Sequence, residues 1–187
     1  NRAGASLLHR YVMHELYCLE TSCRDAYTRF DFASVTRSLI EFATKTLSTL
    51  YYDSVKDTLY AGSSEDQLPI LAAMNEILHT ITCVLAPILP HLAEDLHWYR
   101  HGATCDPTPE EVHSMPSFFQ QGWHNVSDVW YDPSLEHRMQ EILRIRSETF
   151  ALATRCKDKD RLIKGPAETD VACLLYTSDA ADEGLGV

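Results

Sequence analysis

Apolar residues recur every three to four positions over long stretches of this chain, which is the spacing that one face of an α-helix requires. The pattern covers Ser6 to Tyr27, the segment between Asp31 and Gly62, and the segment from "SSEDQ" to Ala86. The alternation typical of strands competes only briefly, near Val171. The sequence therefore predicts an all-α fold, a bundle of about five helices.

Helix boundaries are marked by capping and breaking residues. Asp31 is placed to cap the second helix, and Gly62 follows its last apolar position. Pro87 and Pro90 stop or kink the third helix, and "HLAEDLHWYRH" then forms a short fourth helix. Pro133 suits the first turn of a last helix that runs toward Lys164.

A segment rich in Pro, Gly and polar residues separates the fourth and fifth helices. It reads "GATCDPTPEEVHSMPSFFQQGWHNVSDVWYDP" and predicts a long surface loop. Its large aromatic residues are expected to anchor it to the bundle; they are Phe118, Phe119, Trp123 and Trp130.

The second helix carries two opposed stripes in "STLYYDSVKDTLY". One stripe suits a core and consists of Leu47, Tyr51, Val55 and Leu59. The other is polar at positions i, i+3, i+4 and i+7 and consists of Asp53, Lys56, Asp57 and Tyr60. A polar stripe this regular is either a solvated face with ion pairs or a surface kept for a partner.

Charge and cysteine content narrow the function classes. The 187 residues carry a formal charge of −11, so bulk electrostatics do not favour a nucleic-acid partner. Between Arg138 and Lys164, however, eight basic residues stand against four acidic ones, a local charge of +4.

The six Cys form no C-x-x-C pair, which predicts reduced thiols and no structural zinc site. No apolar run reaches the roughly 20 residues that a membrane helix needs, and no membrane partner is expected.

The two ends of the chain have their own signals. The amino terminus lacks an initiator Met and a signal-peptide pattern, so we expect a piece of something longer. At the other end, "CLLYTSDAADE" resembles the translation of a transposase adapter used in preparing sequencing libraries. We therefore predict one helical domain over residues 1–172 and a disordered, adapter-derived stretch over 173–187. Without the acidic residues of that stretch, the charge is −8.

Two motifs carry a resemblance to a known family. "LSTLYYDSVKDTLY" is followed about thirty residues later by "LAPILPHLAEDLHW", and both are similar in order and spacing to motifs of class I isoleucyl-tRNA synthetases. "ASLLHRYVMHEL", "PSFFQQGW" and "ILRIRSETFALATRCKDKDRLIKGPAETDV" also resemble that family, over about Ala3 to Val171. Three departures stand out: His124 in place of Pro, Thr58 in place of Arg, and the segment "GPAETDV".

The resemblance implies an anticodon-binding domain that orients tRNA(Ile) for a catalytic core encoded upstream. That parent would be an ATP-dependent aminoacyl-tRNA synthetase that uses ATP with Mg²⁺. The present chain lacks the His-x-Gly-His and Lys-Met-Ser-Lys-Ser signatures and a Gly-rich phosphate loop. We therefore expect no catalytic residue, no bound cofactor and no metal ligand in this piece, which should be inactive alone.

Two sets of residues are the candidate sites. The polar stripe Asp53, Lys56, Asp57 and Tyr60 is interpreted as an interdomain surface facing the catalytic core. The tRNA-binding candidates are the basic residues of the last helix, where phosphate contacts would position the nucleic acid; they are Arg144, Arg155, Lys157, Lys159, Arg161 and Lys164. A solvated charged face, partly neutralised by Asp158 and Asp160, is the alternative for that set.

Other interpretations of the whole chain stay open. A valyl- or leucyl-tRNA synthetase would have the same bundle, and a free-standing helical module could bind protein instead. The expected location is intracellular, either mitochondrial or cytoplasmic, with the mitochondrial location favoured.

Overall fold

The first helix organises the fold because it contacts most of the other elements. The computed structural model describes residues 5–102, 108, 110 and 116–160, with side chains described as far as residue 154 in the last helix. α1 packs against the second helix, the segment that continues it and the fourth helix. The helices are α1 (Leu7–Thr28), α2 (Phe32–Glu41), a π-helical segment (Phe42–Tyr52), α3 (Asp53–Ala61), α4 (Ser64–Leu85), α5 (Pro90–Arg100) and α6 (Pro133–Asp160).

The all-α prediction is confirmed, since residues 5–102 and 116–160 contain helices, turns and no strand. Two 3₁₀ turns, Phe118–Gln121 and Asp128–Trp130, interrupt the long loop before α6. The chain divides into two compact units, residues 1–132 and 133–187. The single domain over 1–172 stays a prediction, and the adapter-like stretch lies outside the described residues.

The predicted helix starts are confirmed by hydrogen bonds. The Asp31 carboxylate accepts from Ser34 N at 3.0 Å, and Ser63 Oγ accepts from Asp66 N at 3.3 Å. Both side chains satisfy backbone N–H groups that have no partner within the first helical turn. α3 ends directly before Gly62, and α5 begins at Pro90.

The core lies between α1 and the helices around it. Val12 and Leu16 on α1, Val35 on α2 and Val84 on α4 are completely buried. At roughly 1.5–3 kcal/mol for each large apolar side chain removed from water, the burial of these residues favours folding.

α4 is less buried than its sequence predicts. Leu68, Leu71 and Leu78 are 65%, 48% and 39% exposed, although the apolar spacing of this segment predicts a helix that faces the core. By length and composition α4 could cross a membrane, yet it is a bundle helix that packs against α1, α3 and α5. Its apolar residues surround the helix, whereas the neighbouring helices cover only one side of it.

Two carboxylates, one buried and one half-buried, tie the loop before α6 to the helices. Glu20 on α1 is 1% exposed and accepts from Trp123 Nε1 at 2.6 Å. Glu94 on α5 accepts from Phe118 N at 2.9 Å and also from Ser117 Oγ. Phe118 and Trp123 therefore anchor the loop as expected, but the prediction for Phe119 was wrong because its side chain is 51% exposed.

Candidate functional surfaces

The polar stripe of the second predicted helix lies on α3 and is exposed. Asp53, Lys56, Asp57 and Tyr60 all face solvent, and Tyr60 is 84% exposed. The Lys56 ammonium donates to Asp53 Oδ1 at 2.8 Å. This hydrogen bond, the attraction of Asp53 and the nearby charge of Asp57 raise the pKa of Lys56. The face thus carries a fixed pattern of charge with an aromatic ring at its end.

The apolar side of the same helix is buried only in part. Leu47 and Tyr51 are buried, whereas Val55 and Leu59 are half-buried. The π-helical segment explains the difference, because its i to i+5 pattern winds more slowly than an α-helix and rotates the stripe. Thr49 Oγ1 accordingly reaches the carbonyl of Thr44, five residues earlier, at 2.8 Å. The periodicity gave no sign of this change.

Tyr51 connects this helix to α1. Its hydroxyl lies 3.5 Å from His9 Nδ1, and burial raises its pKa to about 12. Burial, together with the charged amino terminus, lowers the pKa of His9. Both groups are therefore neutral at physiological pH, and the contact is structural.

The basic helix α6 is described in part. Arg144 is exposed and donates to Glu148 Oε1 at 3.2 Å one turn later. Arg146 lies over the ring of Phe150, with 5.3 Å from its guanidinium carbon to the ring centroid. The Arg144–Glu148 pair is exposed and contributes little stability, so the Arg144 guanidinium can turn to another anion at a small cost in free energy.

Most of the predicted tRNA-binding set lies beyond the described side chains. Arg155, Lys157 and Lys159 belong to α6, but the structure describes only their helical backbone. Arg161 and Lys164 lie outside the described residues. Their role as phosphate contacts stays a prediction, as does the interdomain role of the α3 face.

Four histidines gather where α4, α5 and the loop meet, and helical spacing in the sequence connects only two of them, His97 and His101. The rings of His79 and His124 are 4.3 Å apart between centroids, as are those of His97 and His101. Burial, and the charge that His124 would add, lower the pKa of His79. Burial, followed by His101, lowers the pKa of His97. His79 and His97 are therefore neutral near pH 7.

These histidines make contacts with the helices and with each other. His101 lies next to the end of α5, where its Nδ1 is 2.8 Å from the His97 carbonyl. His124 Nε2 is 2.8 Å from Glu76 Oε1. Within the part of the chain that the structure describes, no group of three or more His, Cys, Asp or Glu is placed to hold a metal ion.

The comparisons with known proteins agree with the motifs. The model of the family "Anticodon-binding domain of tRNA ligase" matches residues 9–166. The mitochondrial isoleucine–tRNA ligase of Mus musculus is 33% identical over 142 residues, which are 75% of this chain and 13% of that protein. The isoleucine–tRNA ligase of Agrobacterium fabrum is 32% identical over 155 residues, 81% of this chain and 15% of that protein.

The matched region is a small part of each relative, since the chain spans 13–15% of the length of these two ligases. The family match, in contrast, covers nearly all of the described residues, from α1 to α6. The chain belongs to the family of anticodon-binding domains of tRNA ligases.

Proposed function

We propose that this chain is the anticodon-binding part of an isoleucine–tRNA ligase, and that it orients tRNA for aminoacylation by a catalytic core elsewhere in the parent protein. The observation that supports this most is the family match over residues 9–166. The mitochondrial and bacterial relatives, all isoleucine–tRNA ligases, support the choice of amino acid. They also support an intracellular location, and the mitochondrial one is part of the proposal.

The charge distribution fits this role. The overall charge of −11 opposes non-specific binding of RNA, whereas the local excess of +4 between Arg138 and Lys164 favours phosphate contacts on one helix. Cations at Arg144, Arg155, Lys157, Lys159, Arg161 and Lys164 would position the tRNA. Reading of unpaired bases would need stacking and edge hydrogen bonds in addition.

The α3 face would contact the catalytic core. Asp53, Lys56, Asp57 and Tyr60 are exposed and add nothing to the buried core of the bundle, so a second protein surface could contact them. Such a contact would set the angle of the bundle and hence where the tRNA lies. The parent would use ATP with Mg²⁺ in its core, and the piece alone would form no adenylate.

Titration of the chain with isoleucine-accepting tRNA tests the proposal. We expect tighter binding than to a tRNA with a different anticodon, with an affinity that falls steeply as salt rises. A tRNA(Ile) transcript with a substituted anticodon is the matched control, because it keeps the same phosphate backbone. Equal affinity for all three RNAs would leave only non-specific binding and contradict the proposal.

Catalytic inactivity is tested separately by isoleucine-dependent exchange of pyrophosphate into ATP. We expect no exchange above the blank for this chain and full exchange for the parent protein. Measurable exchange by the chain alone would show an adenylate site within these residues.

A further inference from the structure

The turn between α1 and α2 holds a bulky residue in a backbone conformation that favours glycine. Phe30 has φ 57°, the only positive φ of a non-glycine residue among those described. Asp31 N donates to Ala26 O at 2.9 Å, and Phe30 N donates to Tyr27 O at 3.0 Å. This pair of bonds is the helix-ending arrangement whose left-handed position is usually occupied by Gly. Phenylalanine is therefore strained there.

Burial does not compensate for the strain. Phe30 is 78% exposed and its neighbour Phe32 is 47% exposed, with ring centroids 6.5 Å apart. Neither ring contributes to the core, and two exposed aromatics side by side raise the risk of aggregation. A strained, exposed aromatic residue in the place of glycine indicates a use outside the bundle.

The corner formed by Phe30 and Phe32 is held in place by contacts with α1 and α4. Phe32 packs edge-on against Tyr27 at 5.8 Å between centroids. The Tyr27 hydroxyl donates to the Val84 carbonyl at 2.6 Å, which ties the corner to the end of α4. An anchored surface loses little side-chain freedom when it binds.

The charges around the corner are balanced. Arg29 pairs with Asp25 one turn earlier on α1. The Asp31 carboxylate is held by Ser34, and the charges of Arg29 and Arg37 add to the lowering of its pKa. Two cations and two carboxylates give no net attraction for a phosphate backbone, so an uncharged partner surface fits better than RNA.

We propose that the Phe30–Phe32 corner docks an apolar protein surface in the remainder of the parent polypeptide. This inference rests on the proposed function. The related ligases extend far beyond the matched region, which is 13–15% of their length, so a large covalently linked surface is at hand to cover the rings.

The corner would give the bundle a second contact with the parent. It begins the continuous helical stretch Phe32–Ala61 whose other end carries Tyr60 and the α3 face. At 1.5 Å per residue, the two ends are about 40 Å apart. With one contact the bundle could rotate about that point, whereas two contacts at that distance fix its angle to the rest of the parent protein.

Hydroxyl-radical footprinting tests the contact in the absence of tRNA. In this chain alone Phe30 should oxidise readily, and in the full-length parent several-fold more slowly, each rate normalised to that of the unfolded protein. Equal normalised rates would overturn the inference. Because no RNA is present, failure of the tRNA titration and failure of this test are independent results.

The variant Phe30→Gly separates strain from docking. In this chain it should raise the melting temperature by about 2–4 °C, because the turn is relaxed. In the parent it should lower tRNA charging several-fold while pyrophosphate exchange stays unchanged. The matched control is Phe119→Ala, an exposed aromatic elsewhere, which should leave charging as it is. Unchanged charging by Phe30→Gly would overturn the inference.

A loss of tRNA affinity in the isolated Phe30→Gly chain would also overturn it. That result would mean that the rings stack on unpaired bases instead of docking on protein.

Discussion

α1 and α3 are both amphipathic by sequence, yet the bundle uses them differently. α1 buries nine of its 22 residues, including His14 and Glu20, whereas none of the nine residues of α3, all of them described, is buried. Apolar stripes of similar appearance therefore differ in what they contribute to folding. Substitutions in α1 should change the stability of the chain, and substitutions in α3 should change what the chain does within a larger protein.

The largest effect is expected for Leu16→Ala, since Leu16 is completely buried on α1. Loss of its contacts and the cavity left behind should lower the free energy of unfolding by about 2–5 kcal/mol. The matched control is Leu59→Ala on α3, where a half-buried side chain should give a loss of no more than about 1 kcal/mol. Urea denaturation followed by circular dichroism measures both, and equal losses would remove the distinction between the helices.

Glu20→Ala should have the next largest effect. It leaves the half-buried Trp123 indole N–H without its acceptor, at a cost of about 1–3 kcal/mol. A double-mutant cycle with Trp123→Phe isolates the pair, and the two losses should be less than additive. Additive losses would show that the carboxylate stabilises the fold through something other than this hydrogen bond.

Acid should destabilise the chain through its buried histidines. His79 and His97 have pKa values below the ordinary 6.5, so the unfolded chain binds more protons than the folded chain. Stability is then full above pH 6.5 and falls as pH decreases below it. The pKa values of Asp31 and Glu41 are lowered from 3.8 and 4.5, so protonation of these carboxylates reduces stability only in stronger acid.

Thermal melts at pH 7.5 and pH 5.5 measure this loss of stability in acid. The midpoint should be lower at pH 5.5, and His79→Asn should reduce the difference. His91→Asn, at an exposed position, is the control and should leave the difference unchanged. A pH dependence that is the same in all three proteins would exclude the cluster as its source.

The smallest effect on stability is expected for Lys56→Glu on the α3 face. Its ion pair with Asp53 is exposed, so the free energy of unfolding should change by no more than about 0.5 kcal/mol. In the parent protein, tRNA charging should slow by a larger factor than the stability change explains. Lys45→Glu, which breaks a similar exposed pair with Glu41 on the same helix, is the control. Equal, small effects of both would indicate a solvated face.

The sequence predicted the parts of the fold that depend on local signals. Asp31 and Ser63 cap helices because their side chains reach nearby N–H groups, and Pro90 begins α5 because it cannot continue the preceding helix. The exposed α3 stripe followed from helical spacing in the same way.

Features that depend on tertiary packing could not be predicted. The π-helical segment has no local signal in "TLSTLYY", so the sequence did not predict it. Glu20 and Glu94 hold a loop about a hundred and about twenty-four residues away, respectively, so sequence spacing does not reveal them. The exposure of Leu68 depends on which sides of α4 have neighbours.

The proposed function assigns the basic helix α6 to a nucleic-acid partner, whereas the α3 face and the Phe30–Phe32 corner are assigned to protein contacts. The most direct measurement is the salt dependence of tRNA(Ile) binding by this chain and by a variant with six basic residues changed to Gln: Arg144, Arg155, Lys157, Lys159, Arg161 and Lys164. If all six contact phosphates, the slope of log affinity against log salt should shrink by about 4–5. The control variant has six basic residues of the first compact unit, residues 1–132, changed to Gln, and its slope should change far less. The six are Arg24, Arg29, Arg37, Lys45, Lys56 and Arg100. An unchanged slope in the α6 variant would contradict the account.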